Sequence, residues 1–180
     1  MSLANKISIF RVLLVPALIA CFVYYHPTRE WLRYLALGIF LVGMASDAAD
    51  GFLARRQNQQ TELGTLLDPI ADKTLILAAL ISCSVVRELP AALRIPAWFN
   101  LVVISRDALV TVGSVVLFAF KGKWHVRPSR LGKWATFLQM LVIPVVLLGL
   151  PVKLPVIIIA ACFTMLSAIT YVRVGIRALS

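Results

Sequence analysis

The chain has 180 residues, 61% hydrophobic and only 14% charged, with a mean hydropathy of +0.91. A water-soluble core cannot absorb that much apolar surface in so short a chain, so lipid is the expected solvent, and the length suits one domain, residues 1–180. The net charge of +10 is carried mostly by residues flanking apolar runs, which points to anionic headgroups and membrane topology and away from nucleic acid.

Six apolar segments follow in chain order, at about Ile7–Tyr25, Trp31–Arg56, Leu63–Val86, Ile95–Phe120, Leu131–Leu150 and Leu154–Val172. A membrane span needs about 20 apolar residues, so the expected fold is all-α, an integral membrane bundle of six transmembrane helices. The first run starts almost at Met1, lacks a small-residue cleavage site and is followed by five more, so it reads as a retained helix. Asn5 and Arg11 bracket its start, where capping and snorkelling account for them. The second segment is apolar only to Ala45, so its last part is expected to project beyond the hydrocarbon. Pro16 and Pro144 are tolerable inside spans, and Pro69 in the first turns of the third helix is a candidate kink. Tyr24, Tyr25, Trp31, Tyr34, Trp98, Trp134 and Tyr171 cluster near segment ends as an interfacial belt. Cys21, Cys83 and Cys162 lie in apolar runs without metal-ligand spacing and read as small core residues. His26 and His125 are lone loop residues.

With both termini cytoplasmic, Lys6, Arg55, Arg56, Lys121, Lys123, Arg127, Arg130, Lys133, Arg173 and Arg177 lie inside, and Arg29, Arg33, Arg87, Arg94 and Lys153 outside. That ratio of ten to five obeys the positive-inside rule.

The chemistry concentrates where the second segment turns polar. Asp47, Asp50, Gly51 and Ala54 follow i, i+3, i+4, i+7, one face of a helix. Gly64, Asp68 and Asp72 follow i, i+4, i+8 on the next helix. The polar link Arg55–Glu62 joins the two as a hairpin, so the faces are neighbours by connectivity. Two facing acid pairs repel unless a cation lies between them, and carboxylate oxygens suit hard divalent ions. The small residues beside the acids leave space for a ligand against the backbone. Acids in membrane helices cost on the order of 2.5–3.5 kcal/mol each on insertion scales, which argues against four of them as decoration. On the predicted orientation this motif stands at the cytoplasmic boundary.

Two cations lie elsewhere in apolar surroundings. Arg106, beside Asp107 in the fourth segment, reads either as half of an internal salt bridge or as a guanidinium for a phosphate. Lys133 opens the fifth segment and reads either as a snorkelling lysine or as a second phosphate ligand.

The motif Asp47-x2-Asp50-Gly51-x2-Ala54-Arg55-x8-Gly64-x3-Asp68-x3-Asp72 resembles the signature of the CDP-alcohol phosphotransferases at every fixed position, gap included. The resemblance covers most of the chain and implies six membrane helices and a homodimer. It implies that Asp47, Asp50, Asp68 and Asp72 bind one or two divalent cations, Mg²⁺ or Mn²⁺. It assigns Gly51, Ala54, Arg55 and Gly64 to the CDP moiety of CDP-diacylglycerol, and Asp72 to the base that activates an acceptor hydroxyl, with CMP as leaving group.

The opening Leu3-Ala-Asn5-Lys-Ile-Ser-Ile-Phe-Arg11 and the run Leu67-Asp68-Pro69-Ile-Ala-Asp72-Lys73 are similar to two branches, one using glycerol 3-phosphate as acceptor and one using phosphatidylglycerol. Helix four and the start of helix five would complete the acceptor pocket, with Arg106 and Lys133 as the candidates for holding the acceptor phosphate. The glycerol-phosphate branch usually has an Arg where this chain has Ser114 and a Lys where it has Ala135. Fewer pocket cations fit a monoanionic diester better than a dianion, so the expected acceptor is phosphatidylglycerol, giving cardiolipin. The expected setting is the bacterial cytoplasmic membrane, with the site facing the cytoplasm. A divalent-cation transporter and a non-catalytic membrane subunit are the competing classes.

Overall fold

The computed structural model of the chain describes the backbone of residues 3–57, 62–121 and 130–179, and the side chains of residues 10–46, 73–113 and 130–176. Among the described residues are six α-helices and no strand, in keeping with the expected all-α class: α1 Leu3–Val23, α2 Trp31–Gln57, α3 Glu62–Val85, α4 Ala97–Lys121, α5 Arg130–Leu147 and α6 Lys153–Leu179. They gather into two compact units, Met1–Arg94 and Ile95–Ser180.

Each apolar segment of the sequence meets one helix, with instructive differences at the ends. The apolar run reaches Leu150, but α5 stops at Leu147 because Gly149 takes a left-handed φ of 69°. The Leu150 N–H bonds the Val145 carbonyl at 3.1 Å and the Gly149 N–H bonds the Val146 carbonyl at 2.9 Å, the paired bonds of a glycine-terminated helix. At the other extreme α6 runs on to Leu179, past Val172, because Arg173 and Arg177 end an apolar count without ending a helix.

The segments Ala91–Gly113, Arg130–Leu147 and Lys153–Ile176 are long and apolar enough to cross a bilayer, and the described parts of α1, α2 and α3 contribute the shorter apolar stretches Phe10–Val23, Trp31–Ser46 and Lys73–Val85. Large apolar side chains such as Leu13, Val23, Val85, Leu101 and Ile158 are exposed along the helices. Soluble proteins avoid contiguous exposure of this kind; here it is the lipid-facing surface of an integral membrane protein. Tyr24, Trp31, Tyr34, Trp98 and Trp134 are exposed near helix ends, as a belt requires. Tyr25 departs from that expectation and is buried, and Cys162 departs from its expected core place and is exposed. His26 caps the 3-10 turn Pro27–Arg29, its Nδ1 2.9 Å from the Thr28 hydroxyl. His125 lies outside the described residues.

In the first unit α1 packs along both α3 and α2, which touch each other over a shorter length. The buried face of α1 is Arg11, Val15, Leu18 and Phe22, a helical stripe headed by a charge. Arg11 was expected to snorkel; it is 1% exposed. A buried guanidinium is tolerable only with partners, and Arg11 does engage in polar interaction there.

At Gly43 of α2 the chain of α3 comes close. A Cβ placed there would collide with Leu75 Cδ2 of α3 and stand 3.7 Å from Leu14 Cδ1 of α1. Alanine gains about 1 kcal/mol of helix propensity over glycine, while overpacking costs about 1–3 kcal/mol. Leu75 is 2% exposed, so its displaced methyl must repack within the unit, and overpacking outweighs propensity. Gly43→Ala is therefore expected to lower the apparent melting midpoint in detergent, and Gly43→Leu to lower it further. An unchanged midpoint for both would mean that α2 and α3 are not in close contact at Gly43.

In the second unit α6 packs against both α5 and α4. Its buried stripe, Ile157, Ala160, Thr164 and Ser167, is small and polar toward one end, which lets backbones approach and hydroxyls bond across helices. Gln139 of α5 donates to the Thr164 hydroxyl at 2.9 Å, and that hydroxyl donates to the Ala160 carbonyl at 2.7 Å. On α4, a Cβ at Gly113 would stand 2.8 Å from the Tyr171 ring of α6.

Candidate active site

Asp47, Asp50, Gly51, Ala54 and Arg55 fall in the last turns of α2, and Gly64, Asp68 and Asp72 in the first turns of α3. Their side chains lie outside those described. The described residues at the edge of the motif supply its frame. Gly43 stands one turn before Asp47, and positions 43, 47, 50 and 54 share one helical stripe. Leu75 stands three residues after Asp72, and positions 64, 68, 72 and 75 share a stripe on α3. The Gly43–Leu75 approach is thus made by the same two stripes that carry the motif, one turn away from it. Just ahead of Asp47, the Ser46 hydroxyl donates to the Val42 carbonyl at 2.8 Å, so it is occupied within its own helix.

The donor chemistry of the motif fits a hard cation: four carboxylates and, within two turns of them, no cysteine or histidine. No group of three potential ligands occurs among the described residues, and the four motif acids are a metal-site candidate by their donor type.

In the second unit Arg106 is held on two sides. Its Nη1 donates to Asp107 Oδ1 at 2.7 Å, and its Nη2 donates to the Ser167 hydroxyl of α6 at 3.0 Å. The two side chains of the ion pair are 10% and 14% exposed. The salt-bridge reading of Arg106 therefore holds as geometry, and it coexists with a cavity: a groove of about 280 Å³ lined by Leu101, Val102, Ser105, Arg106, Leu109, Met165 and Ala168. Ser167 is the partner that sequence reasoning missed. Nothing local announces a contact 61 residues away; only its place on the small-residue stripe of α6 hints at it.

Lys133 is exposed on α5 and lines a second groove, about 270 Å³, with Trp134 and Phe137. The two aromatic rings meet edge to face at 5.9 Å. Ala135, the position where a second lysine was expected in one branch, is fully buried. Ser114 has its backbone in α4 and its side chain outside those described.

Comparison with known proteins bears on this arrangement. Residues 1–171 match the family model for CDP-alcohol phosphatidyltransferase. A probable phosphatidylglycerophosphate synthase of Mycobacterium tuberculosis (strain ATCC 25618 / H37Rv) is 33% identical over 180 residues, covering 99% of this chain and 82% of the relative. A CDP-diacylglycerol–glycerol-3-phosphate 3-phosphatidyltransferase of Cereibacter sphaeroides is 31% identical over 148 residues, covering 82% of this chain and 64% of the relative. A CMP-forming cardiolipin synthase of Oryza sativa subsp. japonica is 31% identical over 166 residues, covering 86% of this chain and 48% of the relative. The family model takes in both acid-bearing helices, the Arg106 ion pair and Lys133 in a single match, so the chain belongs to the CDP-alcohol phosphatidyltransferase family.

Proposed function

We propose that this chain transfers the phosphatidyl group of CDP-diacylglycerol to an alcohol acceptor and releases CMP. The observation that carries the reading is the acid motif itself, complete on two helices whose motif stripes approach each other at Gly43 and Leu75. Asp47, Asp50, Asp68 and Asp72 would hold one or two divalent cations, Mg²⁺ or Mn²⁺, which when bound neutralise pyrophosphate charge and ease the departure of CMP.

The chain's own residues do the rest. Gly51, Ala54 and Gly64 leave the helix backbones open to the CDP moiety, and Arg55 bonds its phosphate. Asp72 accepts the proton of the acceptor hydroxyl. The acceptor oxygen forms its bond to the lipid-side phosphorus as the bond from that phosphorus to the CMP oxygen breaks, and CMP leaves with the electron pair. Arg106 and Lys133 hold the phosphate of the acceptor. The site opens to the cytoplasm of a bacterial cell, and the working form is a homodimer.

Phosphatidylglycerol is the acceptor favoured here. Ser114 and Ala135 stand where the glycerol-phosphate branch usually carries an Arg and a Lys, and without those two cations a monoanionic diester fits better than a dianion. Glycerol 3-phosphate is the second reading, favoured by the names of the Mycobacterium tuberculosis and Cereibacter sphaeroides relatives. The purified protein, given CDP-diacylglycerol and Mg²⁺, is expected to release CMP with phosphatidylglycerol and to form cardiolipin. Release with glycerol 3-phosphate alone would transfer the assignment to that acceptor. Release with neither would leave the motif without its proposed reaction.

A further inference from the structure

The contact between Gly43 and Leu75 fixes a register. Fourteen residues lead from Gly43 to the end of α2, and thirteen lead from the start of α3 to Leu75. Two arms of equal length, joined at one end and touching at the other, run side by side, so equal steps from the contact reach equal heights. Asp47 is four residues from Gly43 and Asp72 three from Leu75; Asp50 and Asp68 are each seven away, and Ala54 and Gly64 each eleven. At 1.5 Å per residue the acids stand level in pairs, about 5 Å and about 10 Å beyond the contact. They lie on the stripes of Gly43 and Leu75 themselves.

This contact therefore helps to set how far apart the acid-bearing stripes stand. α1 packs along both helices, while α2 and α3 touch each other over a shorter length. A side chain at Gly43 would collide with Leu75 Cδ2, and Leu75 is buried. The overlap is relieved by repacking Leu75 and by moving α3 outward. Gly38, five residues earlier on α2, has open space where its Cβ would stand, so the tight fit belongs to position 43 and not to α2 at large.

Separation matters to a cation held by carboxylates from two helices. Mg²⁺ takes oxygens at about 2.0–2.1 Å and Ca²⁺ at about 2.3–2.6 Å, and the choice between them follows cavity size and ligand flexibility. Replacing the smaller ion by the larger parts two opposed ligands by roughly 0.5–1 Å. Relief of a buried methyl overlap moves a helix on that same scale.

We infer that Gly43 is a positioning residue for the metal: by admitting Leu75 against the α2 backbone it holds the two acid-bearing helices at the spacing that suits a small divalent cation. The inference rests on the reading that Asp47, Asp50, Asp68 and Asp72 hold such an ion, and it adds what tunes the site to ion size.

The test reads metal binding directly. The whole chain in phosphatidylcholine nanodiscs, without CDP-diacylglycerol, is titrated with Mn²⁺, the free ion being counted by its electron paramagnetic resonance signal. Displacement by Mg²⁺ and by Ca²⁺ then gives a ratio of affinities. Gly43→Ala is expected to shift that ratio at least fivefold toward Ca²⁺. Leu75→Val loses only one methylene and slackens the same contact, so it should blunt the discrimination about threefold even if Gly43→Ala fails to fold. Because the two residues touch, the changes are coupled: Gly43→Ala with Leu75→Val removes the clashing atom and should return the ratio to within twofold of the parent. Gly38→Ala should leave it unmoved.

A lowered melting midpoint in Gly43→Ala with an unmoved ratio would make the glycine a packing residue only and overturn the inference, as would an unmoved ratio in Leu75→Val. An equal shift in Gly38→Ala would do the same. Asp68→Ala separates this inference from the reading beneath it. Parental Mn²⁺ affinity in Asp68→Ala would remove the metal site and the role of Gly43 together. A loss of at least tenfold there, with ratios unmoved in Gly43→Ala and Leu75→Val, would keep the metal site and reject the role of Gly43.

Discussion

Asp68→Ala is expected to abolish CMP release, and Asp50→Ala to do the same, while both variants insert and keep the helical circular dichroism of the parent. Removing a group that merely orients a metal ligand costs about 10–100-fold. A carboxylate proposed to hold the ion itself stands closer to the chemistry, so the loss should exceed about 100-fold, or about 2.7 kcal/mol of barrier. Folding should survive because four like charges on neighbouring stripes repel, and removing one relieves that repulsion. Chelation by EDTA should reproduce the loss in the parent, and excess Mg²⁺ or Mn²⁺ should restore it. The measurement also separates the competing classes. A transporter would carry metal into vesicles without CDP-diacylglycerol, and a structural subunit would be indifferent to the loss of Asp68. CMP release at the parental rate in Asp68→Ala would end the enzymatic reading of the motif.

The membrane class and the six helices were legible because hydropathy is a sum over many residues, and no single side chain can overturn it. Ends were less legible, since each depends on one local event. Gly149 stops α5 through a backbone angle that apolar counts do not register. Arg173 and Arg177 stop the apolar count on α6 without stopping the helix.

Arg11 was misread because a charge near the start of a span usually reaches water; its register with Val15, Leu18 and Phe22 was the available signal that it lies on the buried face. Tyr25 was misread the same way, since an aromatic at a helix end fits a belt and a core equally well. The acid motif was legible because its spacing is local to two consecutive helices. The Arg106–Ser167 bond was not, because it joins α4 to α6 and only packing brings those residues together. Sequence posed salt bridge and phosphate ligand as alternatives for Arg106. With one N–H on Asp107, one on Ser167 and the Nε facing no described partner, the same side chain has the donors for both.

The second large effect belongs to Asp72, for which the motif implies two duties that pull against each other. A carboxylate that shares its charge fully with a cation is a weak base, and a strong base is a poor shared ligand. Asp72→Asn separates the duties, since the amide keeps the shape and one oxygen donor while losing the charge and the ability to take a proton. A positioned general base contributes about 10²–10⁴-fold, so kcat should fall by that factor while CDP-diacylglycerol binding stays within about tenfold of the parent. Asp47→Asn is the control, with a metal role alone: its loss should be recovered by raising Mg²⁺. The loss in Asp72→Asn should persist at saturating metal, because added cation supplies charge but accepts no proton. If metal restored Asp72→Asn fully, the proton would have another acceptor and Asp72 would be a ligand only. If metal restored neither variant, Asp47 too would act beyond simple ligation, and the division of labour among the four carboxylates would have to be redrawn.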